Sequence, residues 1–223
     1  MKLVHKNLEK QIIFEENKVN EIVVENPTFF YNFISEMKSQ LNGDAGNFVL
    51  SKNNKEISLT KETELITDIF SFELNDKKFV TKLYNELKNI SYSEELYMET
   101  QTILSQIEEY LKEIECLSQY NFSFNNEADI INIFKAYGIN FDINNNKLVD
   151  RFFQLISMTN ELLNKNIIII VNLKSFISME ELKELYSMIS YKKINLLLIE
   201  SSEKYKLDLE ERIIIDKDIC EIF

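Results

Sequence analysis

The segment from Asn166 to Val171, NIIIIV, is an uninterrupted apolar run dominated by β-branched residues. Such a run has no polar face to turn to water, so it reads as a strand covered on both faces, the kind found inside a parallel sheet. The residues that follow set the connection. Ser178 and Glu181 make a capping box, and Leu182, Leu185, Met188 and Ile189 share one face of a helix running through Ser190. A second doubly covered strand, Asn195 to Ile199, comes next. Strand, helix and strand within about 35 residues form a right-handed βαβ unit, and Arg212 to Asp216 adds a further strand. The chain is therefore expected to be α/β, with a mixed or parallel sheet.

The N-terminal part reads as mixed structure. Gln11 to Phe14 and Glu21 to Glu25 are predicted strands, and Pro27 supplies the preset φ of a first helical turn. Phe30, Phe33, Ile34, Met37 and Leu41 recur at helical spacing until Asn42 and Gly43 stop the helix. Phe48 to Leu50 and Glu56 to Leu59 form a hairpin around Lys52, Asn53 and Asn54, while Leu65 to Phe72 is apolar with its type left open. From Asp76 to about Leu163 the pattern becomes amphipathic and helical. One stripe holds Phe79, Val80, Leu83, Tyr84 and Leu87; a longer one holds Leu96, Ile103, Leu104, Ile107, Leu111 and Ile114, and burial in a core or against a helix accounts for both. Asn126 is expected to cap a helix from Glu127 to Tyr137 closed by Gly138; a turn at Asn144 to Asn146 and a helix from Lys147 to Leu163 follow. The resulting domain reading is an α/β head of residues 1–75 and 166–223, with residues 76–165 inserted as a helical leg.

Several chemistries are excluded by what is missing. His5 is the single histidine, which leaves a nucleophilic triad or a zinc centre short of ligands. The glycines are Gly43, Gly46 and Gly138, so neither GxGxxG nor GxxxxGK[ST] can be written. A hydrolase with this sheet would hold magnesium through a carboxylate at the end of the IIIIV strand, where this chain has Asn172. Cys116 and Cys220 lie far apart without CxxC spacing and read as free thiols. No apolar stretch approaches the roughly 20 residues of a membrane helix, and the N-terminus lacks an apolar h-region, so a cytoplasmic protein is expected.

The string KNIIIIVNLKSFISMEELKELYSMISYKKINLLLIESSEKY, with the strand RIIIDKD after it, resembles the C-terminal part of the Csn-family adaptation protein of type II-A CRISPR systems. The segments ETELITDIFSFELNDKKFVTKLYNEL and ADIINIFKAYGINFDINNNKLVDRFFQLISMTNELLNKN resemble the same family's middle part. The resemblance implies a nucleotide-hydrolase-like α/β core without a phosphate loop, carrying an elongated helical leg. It also implies a homotetrameric ring around double-stranded DNA, bound at duplex ends without sequence preference and without catalysis. Calcium for the assembled state, and the CRISPR integrase and effector nuclease as partner proteins in spacer acquisition, belong to the same implication. The family's acidic calcium segment reads QYNFSFNNEAD here, with serine and asparagine at expected carboxylate positions. Glu127 and Asp129, with Asn125 and Asn126, are the candidate ligands; the two acids are equally explained by the positive end of a helix dipole.

A formal charge of −12 sets this chain against DNA phosphates unless its cations are gathered together. A ring gathers them. The candidate contacts are Lys52 and Lys55 in the hairpin, Lys61, Lys135 beside Gly138, Arg151, Lys165, and the pair Lys192 and Lys193. Arg151 and Arg212 are the only arginines, so contacts would be lysine to phosphate and indifferent to sequence. Two other functions fit the composition: an acidic module that binds the adaptation or effector nuclease without touching DNA, and a degenerate nucleotide hydrolase.

Overall fold

The computed structural model describes residues 1–70, 73–125, 129–142 and 147–222. The chain forms two compact units, Met1–Leu74 with Asn144–Phe223, and Asn75–Ile143. The first unit opens with β1 (Lys2–His5), β2 (Ile12–Ile13) and β3 (Val19–Val24), then α1 (Pro27–Leu41), β4 (Phe48–Lys52), β5 (Lys55–Ile57), the short helix α2 (Leu59–Glu62) and β6 (Thr63–Ile66). The second unit is helical, with α3 (Lys77–Ser91), α4 (Tyr97–Leu117) and α5 (Ile130–Ala136). The first unit then resumes with α6 (Leu148–Leu163), β7 (Ile167–Val171), a 3-10 turn at Leu173–Ser175, α7 (Met179–Lys192), β8 (Asn195–Glu200), β9 (Glu210–Ile215) and β10 (Glu221–Ile222).

Six strands lie in the order β10-β9-β3-β8-β7-β6, and from β9 to β6 every pairing is parallel. Strands β7 and β8 are neighbours in register, Ile167 opposite Asn195 and Val171 opposite Ile199, which is the βαβ unit expected from the apolar runs. Every residue of β7 is buried because helices and a second sheet cover opposite faces. Ile167 and Ile169 join Phe33 and Met37 of α1 and Leu3, Phe48 and Leu50 of the small sheet β2-β1-β4-β5. Ile168 and Ile170 point the other way, where α6 packs on α7 and β7. Each such isoleucine stabilises the fold by roughly 1.5–3 kcal/mol through removal from water.

Two expectations are corrected. The helix Leu148–Leu163, expected in the leg, belongs to the first unit. It buries Phe152, Leu155 and Ile156, and an amphipathic stripe does not state which surface it covers. The start of α5 is also different. Its N-cap is Asp129, whose carboxylate accepts from the Ile131 N–H at 3.2 Å, and not Asn126, which lies outside the described residues as does the turn at 144–146.

A buried ionic cluster ties the parallel strands together. Lys174, in the 3-10 turn after β7, places its Nζ 2.8 Å from Glu21 Oε1 on β3 and 2.7 Å from Glu210 Oε1 on β9, and it donates to the Tyr205 carbonyl at 2.9 Å. Arg212 on β9 donates from Nε to Glu21 Oε2 at 2.6 Å and from Nη2 to the Tyr205 carbonyl at 2.8 Å. The side chains of Lys174, Glu21 and Glu210 are fully buried. Tyr186 of α7 donates to Glu210 at 2.7 Å. At the end of β8, Glu200 accepts the Lys174 backbone N–H at 3.0 Å, while its Oε2 has no partner among the described residues. Burial pushes the Glu200 carboxyl up to about 7, against the pull of the Lys174 N–H and with the help of nearby Glu21.

Removing one partner of such a cluster strands the others. Lys174→Met is expected to cost about 3–5 kcal/mol in urea unfolding, because Glu21 and Glu210 stay buried without their ammonium. Glu200 supplies a separate check with a fixed sign. A carboxyl whose folded pKa is raised favours folding while protonated, so its contribution falls as pH rises from about 4.5 towards 7, by at most about 1.4 kcal/mol per pH unit. Glu200→Gln is expected to become progressively more stable than wild type across that window; a constant difference would show that Glu200 does not titrate there.

Candidate nucleic-acid interface

The strand order places Lys52 and Lys55 directly opposite each other at the tip of the β4–β5 hairpin. Asn53 and Asn54 both adopt positive φ, 53° and 59°, which closes a two-residue turn of the type that matches strand twist. Like charges facing each other across a hairpin disfavour it, so the fold itself does not require this pair. Both side chains are exposed, and among the described residues no carboxylate pairs with them. Lys61 is likewise exposed, in the last turn of α2, where Ser58 caps the helix by accepting from its N–H at 3.3 Å. Lys165 reaches back to the same helix and donates to the Thr60 carbonyl. Lys38, in the last turn of α1, lines one cleft with Thr60 and Lys165. Sequence reading missed it because a lysine at a helix C-terminus is fully explained by the dipole.

Other predicted contacts stand apart. Lys192 pairs with Glu161 at 2.6 Å and Lys193 with Glu16 at 3.3 Å, so their charge is already met. Arg151 is exposed on α6 beside Ile69, Phe70 and Leu148. Lys135 sits in the last turn of α5, in the second unit, where Gly138 closes the helix at φ 61°. Arg212 is committed to the buried cluster and unavailable to bases. His5 is buried between Phe33 and Phe48; its Nδ1 accepts from Asn7, which leaves Nε2 to donate to Glu36 at 3.3 Å.

Of the four candidate calcium residues, Asn125 and Asp129 are among the described residues. Asp129 uses Oδ1 to cap α5 and Oδ2 to hold Lys88 of α3 at 2.8 Å, and that ammonium keeps its carboxyl below the usual range. Asn125 has a contact of its own, and Asn126 and Glu127 lie outside the described residues. Among the described residues no three His, Cys, Asp or Glu side chains are placed to hold a metal ion.

The model of the family described as CRISPR-associated protein (Cas_Csn2) matches residues 40–219. The chain belongs to the Csn2 family. A relative from Streptococcus agalactiae, the CRISPR-associated protein Csn2, is 25% identical over 169 residues, covering 74% of each chain. Among solved structures, a nucleotide-free ATP-binding cassette from an ABC transporter overlies 99% of this chain and 91% of its own, at 14% identity and a TM-score of 0.47. A putative ABC transporter ATP-binding protein from Pyrococcus furiosus overlies 95% and 97%, at 14% identity and a TM-score of 0.41. At these scores the α/β assignment rests on the strand register itself.

In this Csn2-family chain the strand ends are closed by the protein's own groups. Only Glu25 and Asn26 separate β3 from α1, and the Asn26 side chain accepts from the Phe29 N–H at 3.0 Å, which takes up the helix start where a phosphate loop would end. Asn172, which follows β7, accepts from the Ser201 N–H at 2.9 Å and so joins the ends of β7 and β8. No helix is long and apolar enough to cross a membrane among the described residues.

If Lys52 and Lys55 serve contact and not folding, the double substitution Lys52→Thr, Lys55→Thr leaves unfolding free energy within about 0.5 kcal/mol of wild type. A loss well beyond that would make the pair structural.

Proposed function

We propose that this Csn2-family chain is a non-catalytic, sequence-independent binder of double-stranded DNA ends that works as a homotetrameric ring in CRISPR spacer acquisition, beside the integrase and effector nuclease. The observation that carries this reading is the division of its cations. Lys174 and Arg212 are consumed in the core and Lys192 and Lys193 in surface pairs, while Lys52, Lys55 and Lys61 are exposed on the first unit without carboxylate partners. In a chain of net charge −12, cations held free of the abundant carboxylates favour an external polyanion.

Assembly has support from α4. Ile103, Ile107, Tyr110, Ile114 and Leu117 repeat at alternating steps of four and three, and all are exposed, from 37% at Ile114 to 86% at Leu117. That is the seam of a coiled coil without its partner strand. The same helix carries Glu99, Glu108, Glu109, Glu113 and Glu115 against Lys112, which suits a protein neighbour and repels DNA. Catalysis is not part of the proposal, since the β3–α1 junction leaves no room for a phosphate loop, and no step is assigned to calcium.

Size-exclusion chromatography with light scattering, on the protein with a blunt linear duplex and with a covalently closed circle, tests this directly. The expected result is a tetramer that retains the linear DNA, ignores the circle, and behaves the same in calcium and in EDTA. Binding should weaken with salt at a log–log slope of about −0.9 per phosphate neutralised, and Lys52→Gln with Lys55→Gln should flatten that slope. A monomer indifferent to both DNAs that captures the integrase or nuclease would replace the clamp with the interaction module.

A further inference from the structure

The cleft between the last turn of α1 and β6 carries an unanswered hydrogen-bonding group. It has a volume of about 220 Å³, enough for a phosphate group with part of its hydration shell. Lys38 and Asn42 come from α1, Lys165 from the approach to β7, and Thr60, Thr63 and Glu64 from α2 and β6. Strand β6 is the edge of the six-stranded sheet, so no further strand covers this side. Thr63 is 2% exposed, and its hydroxyl has no hydrogen-bond partner among the described residues. A buried hydroxyl left unpaired is a standing cost that a ligand oxygen would remove.

The charges agree with the hydroxyl. Lys165 donates one hydrogen to the Thr60 carbonyl, and an ammonium has two more to give. Lys38 adds a second ammonium. Glu64 is the single carboxylate on the lining and has an interaction of its own, and the two ammonium groups outnumber it, so the local balance favours an anion. A tetrahedral oxyanion with several acceptor oxygens matches two ammonium groups and a hydroxyl better than a planar carboxylate does.

We infer that this cleft is a phosphate subsite in which Lys38 and Lys165 supply the charge and the Thr63 hydroxyl supplies a fixed donor, and that it seats one backbone phosphate of the duplex. The source of the phosphate rests on the DNA-binding reading above; the chemistry of the cleft does not. Backbone phosphate contacts position a duplex without reading its sequence.

Full-length protein is titrated with a blunt duplex at several salt concentrations, and separately its melting temperature is followed in sodium phosphate and in sodium chloride at equal ionic strength. Thr63→Val keeps size and β-propensity, and it should melt no lower than wild type while binding duplex about tenfold more weakly. Thr63→Ser should restore binding. Lys38→Gln and Lys165→Gln should each reduce the salt slope by about one, whereas Lys112→Gln on α4 should not. Wild-type binding that none of the cleft variants alters would overturn the subsite and leave the clamp intact. Wild type that fails to bind duplex at low salt would remove the clamp. The cleft is then judged by the phosphate arm: stabilisation by phosphate over chloride that Thr63→Val abolishes makes it a site for free phosphate, and its absence overturns the subsite as well.

Discussion

Everything in the parallel sheet depends on how four charges are kept out of water. Glu21, Glu210, Lys174 and Arg212 come from β3, β9 and the turn after β7, and ion pairs of 2.6 to 2.8 Å, from Lys174 to both carboxylates and from Arg212 to Glu21, hold those elements in one register. Two carboxylates against two cations leave no net buried charge, and a protonated Glu200 preserves that balance. Desolvation makes such a cluster an uncertain source of net stability, since well-packed apolar residues often do as well. Its effect is selectivity: any register in which Glu21 misses Arg212 leaves a charge buried alone. Surface pairs such as Lys193 with Glu16 impose nothing comparable, being solvated and screened.

The same accounting organises the outside of the molecule. The hairpin tip faces Lys52 with Lys55, and among the described residues no carboxylate pairs with either. The cost of that arrangement is small because the turn is exposed and salt screens it. On α4 glutamates and an exposed apolar seam share one helix, so the surfaces of the two units differ in chemistry.

Much of the sheet was legible because periodicity and caps are local. The IIIIV strand, the Ser178–Glu181 box and the strand after it needed only neighbouring residues to be read, and each is found as expected. Short elements are not legible in this way: β1 offers no pattern, and β6 overlaps the open segment Leu65 to Phe72 only at Leu65 and Ile66, since a four-residue strand has no period to detect. The destination of an amphipathic stripe is also invisible locally, which is why α6 was assigned to the leg and why the α4 stripe, read as buried, is largely exposed. Lys174 looked like any other lysine. Its burial follows from its ion pairs with β3 and β9, elements far from it in sequence, which no spacing encodes.

The insertion of the helical unit has a consequence for how this chain can vary. β6 and β7 are hydrogen-bonded neighbours, Thr63 opposite Ile167, and Asn166 donates to Glu62 across 104 positions of sequence. Parallel neighbours need a crossover of about a dozen residues, and α6 supplies it within the first unit. The connection from β6 through α6 to β7 is therefore topologically complete without residues 75–143. Lengthening an inserted segment adds closure entropy only logarithmically. The helical unit is thus free to change length and surface between relatives, while the register of every strand in the sheet stays where the buried charges put it.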